Sequence, residues 1–237
     1  MNNLAKRASS VTIALVVALV CTSLSLVAAA AYTLFGDAVL VSPGSSSPTA
    51  AQIRSDASIS PGYGGVDFSI PEGLTVADLG QLSTDYAFTA GSCFNGSPRF
   101  QVNVTTPSNG TQNIFVYIGP PPSYAGCTQN VWSNTGNLAA PTNLVDATQL
   151  GGGFYEAYSA VQTAYGSYPV TGIQVVVDAG YVAPQTVLVD NVVINNAIFT
   201  FEGAASCKKD GWMQFTSAPG PFKNQGQCVS YFAKGGQ

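Results

Sequence analysis

Hydrophobic residues recur at every second position through much of the chain. The run Arg99 to Val104 is the clearest: Phe100, Val102 and Val104 fall on one side, and Arg99, Gln101 and Asn103 on the other. That is the period of a half-buried β-strand. Val66, Phe68 and Ile70 alternate with Asp67 and Ser69 and stop at Pro71. Further strands are predicted over Thr33 to Val41, Leu79 to Thr89, Ile114 to Ile118, Ile173 to Asp178, Val187 to Ile194 and Ile198 to Phe201. All are rich in β-branched or aromatic residues. Punctuation between them is dense. The pair Asn109-Gly110 tolerates the positive φ of a tight hairpin, and the prolines of the 119–127 stretch exclude a strand there. One helical pattern interrupts the series: Phe154, Tyr158, Val161 and Tyr165 share one helical face, with Gly166 as the expected C-cap.

Short strands, frequent turns and one helix predict a mainly β fold, a jelly-roll-like antiparallel β-sandwich, with a barrel as the alternative closure. The expected organisation is a signal peptide over 1–31, the sandwich over 32–203 and a C-terminal segment over 204–237. The last segment holds Trp212, Phe215 and Phe222 between Cys207 and Cys228. That is too little apolar material for a separate domain core, and it reads as a small disulfide-stapled hairpin.

The first 31 residues change the compartment. Lys6 and Arg7 precede the apolar run that begins at Val11, and Ala28 to Ala31 offer a small-residue cleavage site before Ala31 or Tyr32. Retained instead, the same run is long enough to anchor the chain in a membrane. Cleavage leaves six basic residues against twelve acidic ones, a net charge of −6. That balance disfavours nucleic acid and anionic membranes as partners. Charged residues are only 8 % of the chain, against roughly 25 % in ordinary soluble domains; Gly, Ser, Thr, Asn and Gln carry the polarity. Histidine is absent, which excludes Ser-His-Asp triads, Cys-His pairs and His-ligated zinc.

Beyond Cys21 the chain keeps four cysteines, Cys93, Cys127, Cys207 and Cys228, an even number that predicts two disulfides. Three pairings are open. Pairing neighbours, Cys93–Cys127 and Cys207–Cys228, is the simplest, because each bond then closes a local loop. A four-thiolate zinc site would need C-x-x-C spacing that the chain lacks.

The run Cys207-Lys208-Lys209-Asp210-Gly211-Trp212 is followed by Phe222-Lys223-Asn224-Gln225-Gly226-Gln227-Cys228-Val229-Ser230-Tyr231. Together they resemble a C-terminal element of an uncharacterised group of exported bacterial β-sandwich proteins. Leu34-Phe35-Gly36-Asp37-Ala38, Gly96-Ser97-Pro98-Arg99-Phe100 and Thr186 to Val192 extend the resemblance over most of the chain beyond the signal segment. Asp210 departs from it, standing where glycine is frequent. The resemblance implies export and a β-sandwich but no activity. The strand ending Asp190-Asn191-Val192 is also similar to the closing strand of carbohydrate-binding jelly rolls.

Three chemistries remain to be weighed. Glycoside hydrolysis or elimination would need two facing carboxylates, for which Asp67, Glu72, Asp78, Asp85, Glu156, Asp178 and Asp190 are available. A structural calcium ion would need hard oxygen ligands, with Asp178, Asp190 and Asn191 as the candidates. Sugar binding would need exposed rings, and Trp132, Tyr124 and Tyr181, with Tyr117, are placed to supply them near strand ends and loops. Arg99 is expected in an ion pair or a surface hydrogen bond. The leading expectation is an exported, non-catalytic module for a glycan or cell-surface partner. Its rivals are a carboxylate-based glycosidase or lyase and a structural envelope or matrix protein.

Overall fold

In a computed structural model, residues 32–178, 184–216 and 219–234 are described. The 1–31 segment, on which the signal-peptide expectation falls, lies outside them, as does Tyr181. The chain runs β1 (Tyr32–Gly36), β2 (Ala38–Val41), β3 (Ala50–Ser55), β4 (Gly64–Phe68), β5 (Leu82–Ala90), β6 (Arg99–Thr106) and β7 (Gly110–Tyr117). It continues through β8 (Ser133–Asn134), β9 (Leu144–Val145), β10 (Glu156–Ala157), α1 (Tyr158–Tyr165), β11 (Val170–Val177), β12 (Gln185–Ile194), β13 (Ala197–Phe199) and α2 (Gln225–Ala233).

The strands make a mainly β sandwich. One sheet has five strands in the order β1-β4-β11-β6-β7, the other six in the order β2-β3-β12-β5-β8, with β13 also on β12. The pairings are antiparallel throughout, and β9 and β10 form a separate two-stranded ribbon. Alternation fixes what lies between the sheets. Phe100, Val102 and Val104 of β6, Ile173 and Val175 of β11, and Val187 and Val189 of β12 are buried in one continuous core.

The predicted first strand is two strands, one in each sheet. At Gly36 (φ +62°) the chain turns the corner between sheets, and a Cβ there would sit 2.3 Å from the Tyr63 carbonyl oxygen. Only glycine accepts both demands. Strand β3, whose inward residues include the small Ala51, was not anticipated by the hydrophobic pattern. Helix α1 begins at Tyr158, so Phe154 lies ahead of it and is 59 % exposed. Gly166 keeps a right-handed φ of −55° rather than the left-handed cap.

The C-terminal segment corrects the hairpin expectation: it forms a 3-10 turn over Gly211–Gln214 and the second helix, α2. Cys228, Val229 and Phe232 follow helical spacing, and the Asn224 side chain accepts the Gln227 N–H at 2.8 Å as an N-cap. The disulfides are Cys93–Cys127 and Cys207–Cys228. The first belongs to the main core. The second belongs to a separate small cluster with Phe215 and Phe222, flanked by Trp212, Val229, Tyr231 and Phe232. Two such bonds point to an oxidising compartment. Among the described residues, no helix is long and apolar enough to cross a membrane.

Because the bonds serve different cores, their losses should differ. Replacing Cys93 and Cys127 together by serine should lower the main thermal transition by on the order of 10 °C. Replacing Cys207 and Cys228 should leave that transition in place and abolish only the near-UV signal of Trp212, as circular dichroism during melting would show.

Candidate functional site: the outer face of the five-stranded sheet

Burying Phe100, Val102 and Val104 obliges Arg99, Gln101 and Asn103 to face outward from the five-stranded sheet. Strand register then sets unrelated segments side by side. Asp67 of β4 pairs with Gln174 of β11, Gln174 with Gln101 of β6, and Gln101 with Phe115 of β7. Their side chains join. Arg99 Nη2 donates to Gln101 Oε1 at 3.3 Å, Gln101 Nε2 donates to Gln174 Oε1 at 3.2 Å, and Gln174 Nε2 donates to Asp67 Oδ1. Gln101 Nε2 also reaches Asn103 Oδ1 at 3.2 Å.

The direction of this ladder is set by its ends. A guanidinium can only donate and a carboxylate only accept, so both glutamine amides must point their nitrogen toward Asp67. Aligned bonds of this kind strengthen one another and hold the side chains in one arrangement. The ladder uses only part of the hydrogen-bonding capacity of these half-exposed groups.

Arg99 is the fixed end. Asp178 accepts both its terminal nitrogens, at 2.6 and 2.7 Å, and the guanidinium carbon lies 4.6 Å from the Phe115 ring centroid. This bidentate, ring-backed placement is one a lysine would not reproduce. It also leaves the Arg99 charge neutralised.

Aromatic rings border the polar band on both sides. At the β7 edge Tyr117, Tyr124, Phe154 and Tyr155 pack with centroids 4.4–6.1 Å apart. The loop between β9 and β10 carries two of them. Asp146 Oδ1 accepts from the Thr148 N–H and hydroxyl at 2.9 and 2.6 Å, and Glu156 accepts the Gly153 N–H at 2.8 Å. These bonds hold Tyr155 at a φ of +61°, a conformation aromatic residues rarely adopt. The Tyr117 hydroxyl donates to Asp146 Oδ2 at 2.8 Å; burial, then that carboxylate, push its pKa far above the ordinary tyrosine value. At the opposite edge the Phe35 ring lies over Gly65, where a Cβ would come within 2.4 Å of it, and Tyr63 is 45 % exposed.

The expected binding rings therefore separate. Tyr124 is only 3 % exposed and donates its hydroxyl to the Leu144 carbonyl at 3.1 Å, so it supports the aromatic rim from beneath. Trp132 is half-buried just before β8, on the edge of the other sheet. Phe154 and Tyr63 are the exposed rings that flank the band. The sequence signal that could have found the band is Gln174, a lone amide between Ile173 and Val175-Val176-Val177.

Nor do the candidate calcium ligands converge. Asp178 is engaged by Arg99 at the five-stranded sheet, whereas Asp190 and Asn191 share a bulge in β12 on the six-stranded sheet. There Asn191, at a φ of +47°, adds a residue to the strand. Asp190 consequently points away from the core but is 0 % exposed beneath the β2–β3 loop. Its carboxylate accepts from the Ser47 hydroxyl at 2.6 Å and from the Ser45 and Asn191 N–H groups at 2.8 Å each. Asn191 Nδ2 bridges to Asp85 at 2.8 Å and to the Ser45 carbonyl at 3.1 Å. Among the described residues no group of three acids or cysteines could hold a metal ion. Asp85 and Asp190 are cross-strand neighbours, yet Asp190 has no surface for a substrate to reach.

Burial raises the Asp190 pKa to about 7, with the Glu202 charge adding to the rise and the Ser47 bond opposing it. Both oxygens of Glu202 are themselves buried without a hydrogen-bond partner. A cavity of about 470 Å³ beside this loop is lined by Ser42, Pro43, Gly44, Ser46, Ser47 and Gln214. It presents neither an aromatic ring nor a charge, and it lies away from the amide ladder. No protein-family model, curated protein or solved structure matches the chain.

Asp190 makes stability depend on pH. Its folded pKa lies above its unfolded value of 3.8, so the folded state holds the proton more tightly. The resulting stability is complete below about pH 4 and lost as pH rises through about 7, a fall of roughly 4 kcal/mol at most. Urea unfolding of wild type and Asp190→Asn across this window should show their difference in midpoint shifting steadily in favour of the variant as pH rises. A constant difference would contradict the assignment.

Proposed function

We propose that the chain is an exported, non-catalytic module that binds glycan on the outer face of its five-stranded sheet. The observation carrying this reading is the continuous ladder Arg99–Gln101–Gln174–Asp67 lying between exposed rings. Sugar hydroxyls both donate and accept, and planar amides and carboxylates offer both partners at fixed spacing. The C–H faces of a pyranose are apolar and pack on aromatic rings, which retain a polar handle where they are tyrosines. The ladder is already ordered by its own bonds, so little side-chain entropy is lost on binding.

Export is supported by the two disulfides and by the arrangement of basic, apolar and small residues over 1–31. The non-catalytic reading is supported by the absence of histidine and by the burial of Asp190 beside Asp85.

Polysaccharide pull-down and glycan arrays test the reading. Replacing Gln101 and Gln174 together by alanine should weaken binding by about tenfold or more, with circular dichroism unchanged. Trp132→Ala, on the other sheet, should bind like wild type. A wild-type protein that binds nothing across a broad panel would count against the proposal, as would binding lost with Trp132 and kept without the glutamines.

A further inference from the structure

Resting on that reading, we infer that the ligand is an uncharged linear polysaccharide segment lying across the strands rather than along them. The register carries the argument. Asp67, Gln174 and Gln101 form one row perpendicular to the strands, on the neighbours β4, β11 and β6. The row continues to Phe115 on β7. With strands roughly 4.8 Å apart, β1 to β7 spans about 19 Å. One sugar ring is about as wide as one interstrand gap, so the row matches an oligosaccharide of on the order of four units and is too long for a single ring.

The rings stand at the two ends of the neighbouring outward row, Phe35–Gly65–Val176–Arg99–Tyr117, two residues along the strands from the amides. Tyr63, 45 % exposed, packs against Phe35 at the β1 end, with centroids 6.3 Å apart. Phe154, 59 % exposed, packs against Tyr117 at the β7 end, at 6.1 Å. A chain following the strands would cross Arg99, Gln101 and Asn103 but could reach rings along only one edge. A chain crossing them along the line between the two adjacent rows has rings near both ends and the amides along one flank.

Charge selects against acidic glycans. The cation on the band, Arg99, is neutralised by Asp178 at 2.6 Å, and Asp67 adds a carboxylate at the far end. An acidic sugar would therefore meet a negative face with its guanidinium already engaged.

Calorimetric titration separates this inference from the reading beneath it. The probes are neutral gluco-, xylo- and manno-oligosaccharides from monomer to hexamer, with oligogalacturonate as the charged control. Affinity should rise with length up to about four units and then level off. Tyr63→Ala and Phe154→Ala should each weaken tetramer binding about tenfold while leaving dimer binding within about threefold. Affinity independent of length, or a preference for oligogalacturonate, would overturn the inference while leaving glycan binding standing. No binding of any probe by the wild type would overturn both.

Discussion

The burial of Phe100, Val102 and Val104 is the constraint from which the outer face follows. Strand side chains alternate with no exceptions short of a bulge, so three residues sealed into the core send Arg99, Gln101 and Asn103 to the other side. The same rule acts on β11, where Ile173 and Val175 face inward and leave Gln174 outward beside Gln101. A slip of one residue in either strand would put an amide in the core and a valine on the surface. The ladder is thus a by-product of core packing, kept in line by the core's intolerance of any other register.

The six-stranded sheet shows what happens when the alternation is broken. The extra residue at Asn191 lets Val189 and Val192 both stay buried. The two polar residues between them are pushed to one side. Asp190 is then roofed by the β2–β3 loop through Ser45 and Ser47. This ties the loop to the sheet at the expense of a buried carboxylate close to Glu202. One sheet therefore keeps its polar groups half-exposed and available, while the other spends them on holding its own loop. That contrast, more than any single residue, locates the candidate site.

Much of the fold was legible because period two is visible in the chain: β4, β6, β7, β11 and β12 all lie where alternation or β-branched runs place them. Strand β3 was not, because Ala50 and Ala51 are buried but too small to mark the chain as strand-like. The division of the first strand at Gly36 depends on Tyr63, a contact between distant segments. The C-terminal helix is masked in the sequence by two cysteines and a turn-rich spacer that resemble a hairpin, although Asn224 and the spacing of Cys228, Val229 and Phe232 mark a helix. For the site, the outward side of each strand was readable, but Asp67, Gln101 and Gln174 are far apart in sequence and only sheet order makes them neighbours. Tyr124 and Trp132 read from the sequence as rings near loops; ring type does not report burial, and Tyr124 is enclosed.

The most direct test of a glycan-binding outer face is to watch the amides themselves. In an NMR titration with a neutral oligosaccharide, the side-chain NH₂ resonances of Gln101, Gln174 and Asn103 should shift together and saturate at one common affinity, while Trp132 and the Cys207–Cys228 segment stay unmoved. Saturable shifts centred on Trp132 or on the C-terminal segment, with the three amides silent, would contradict the account.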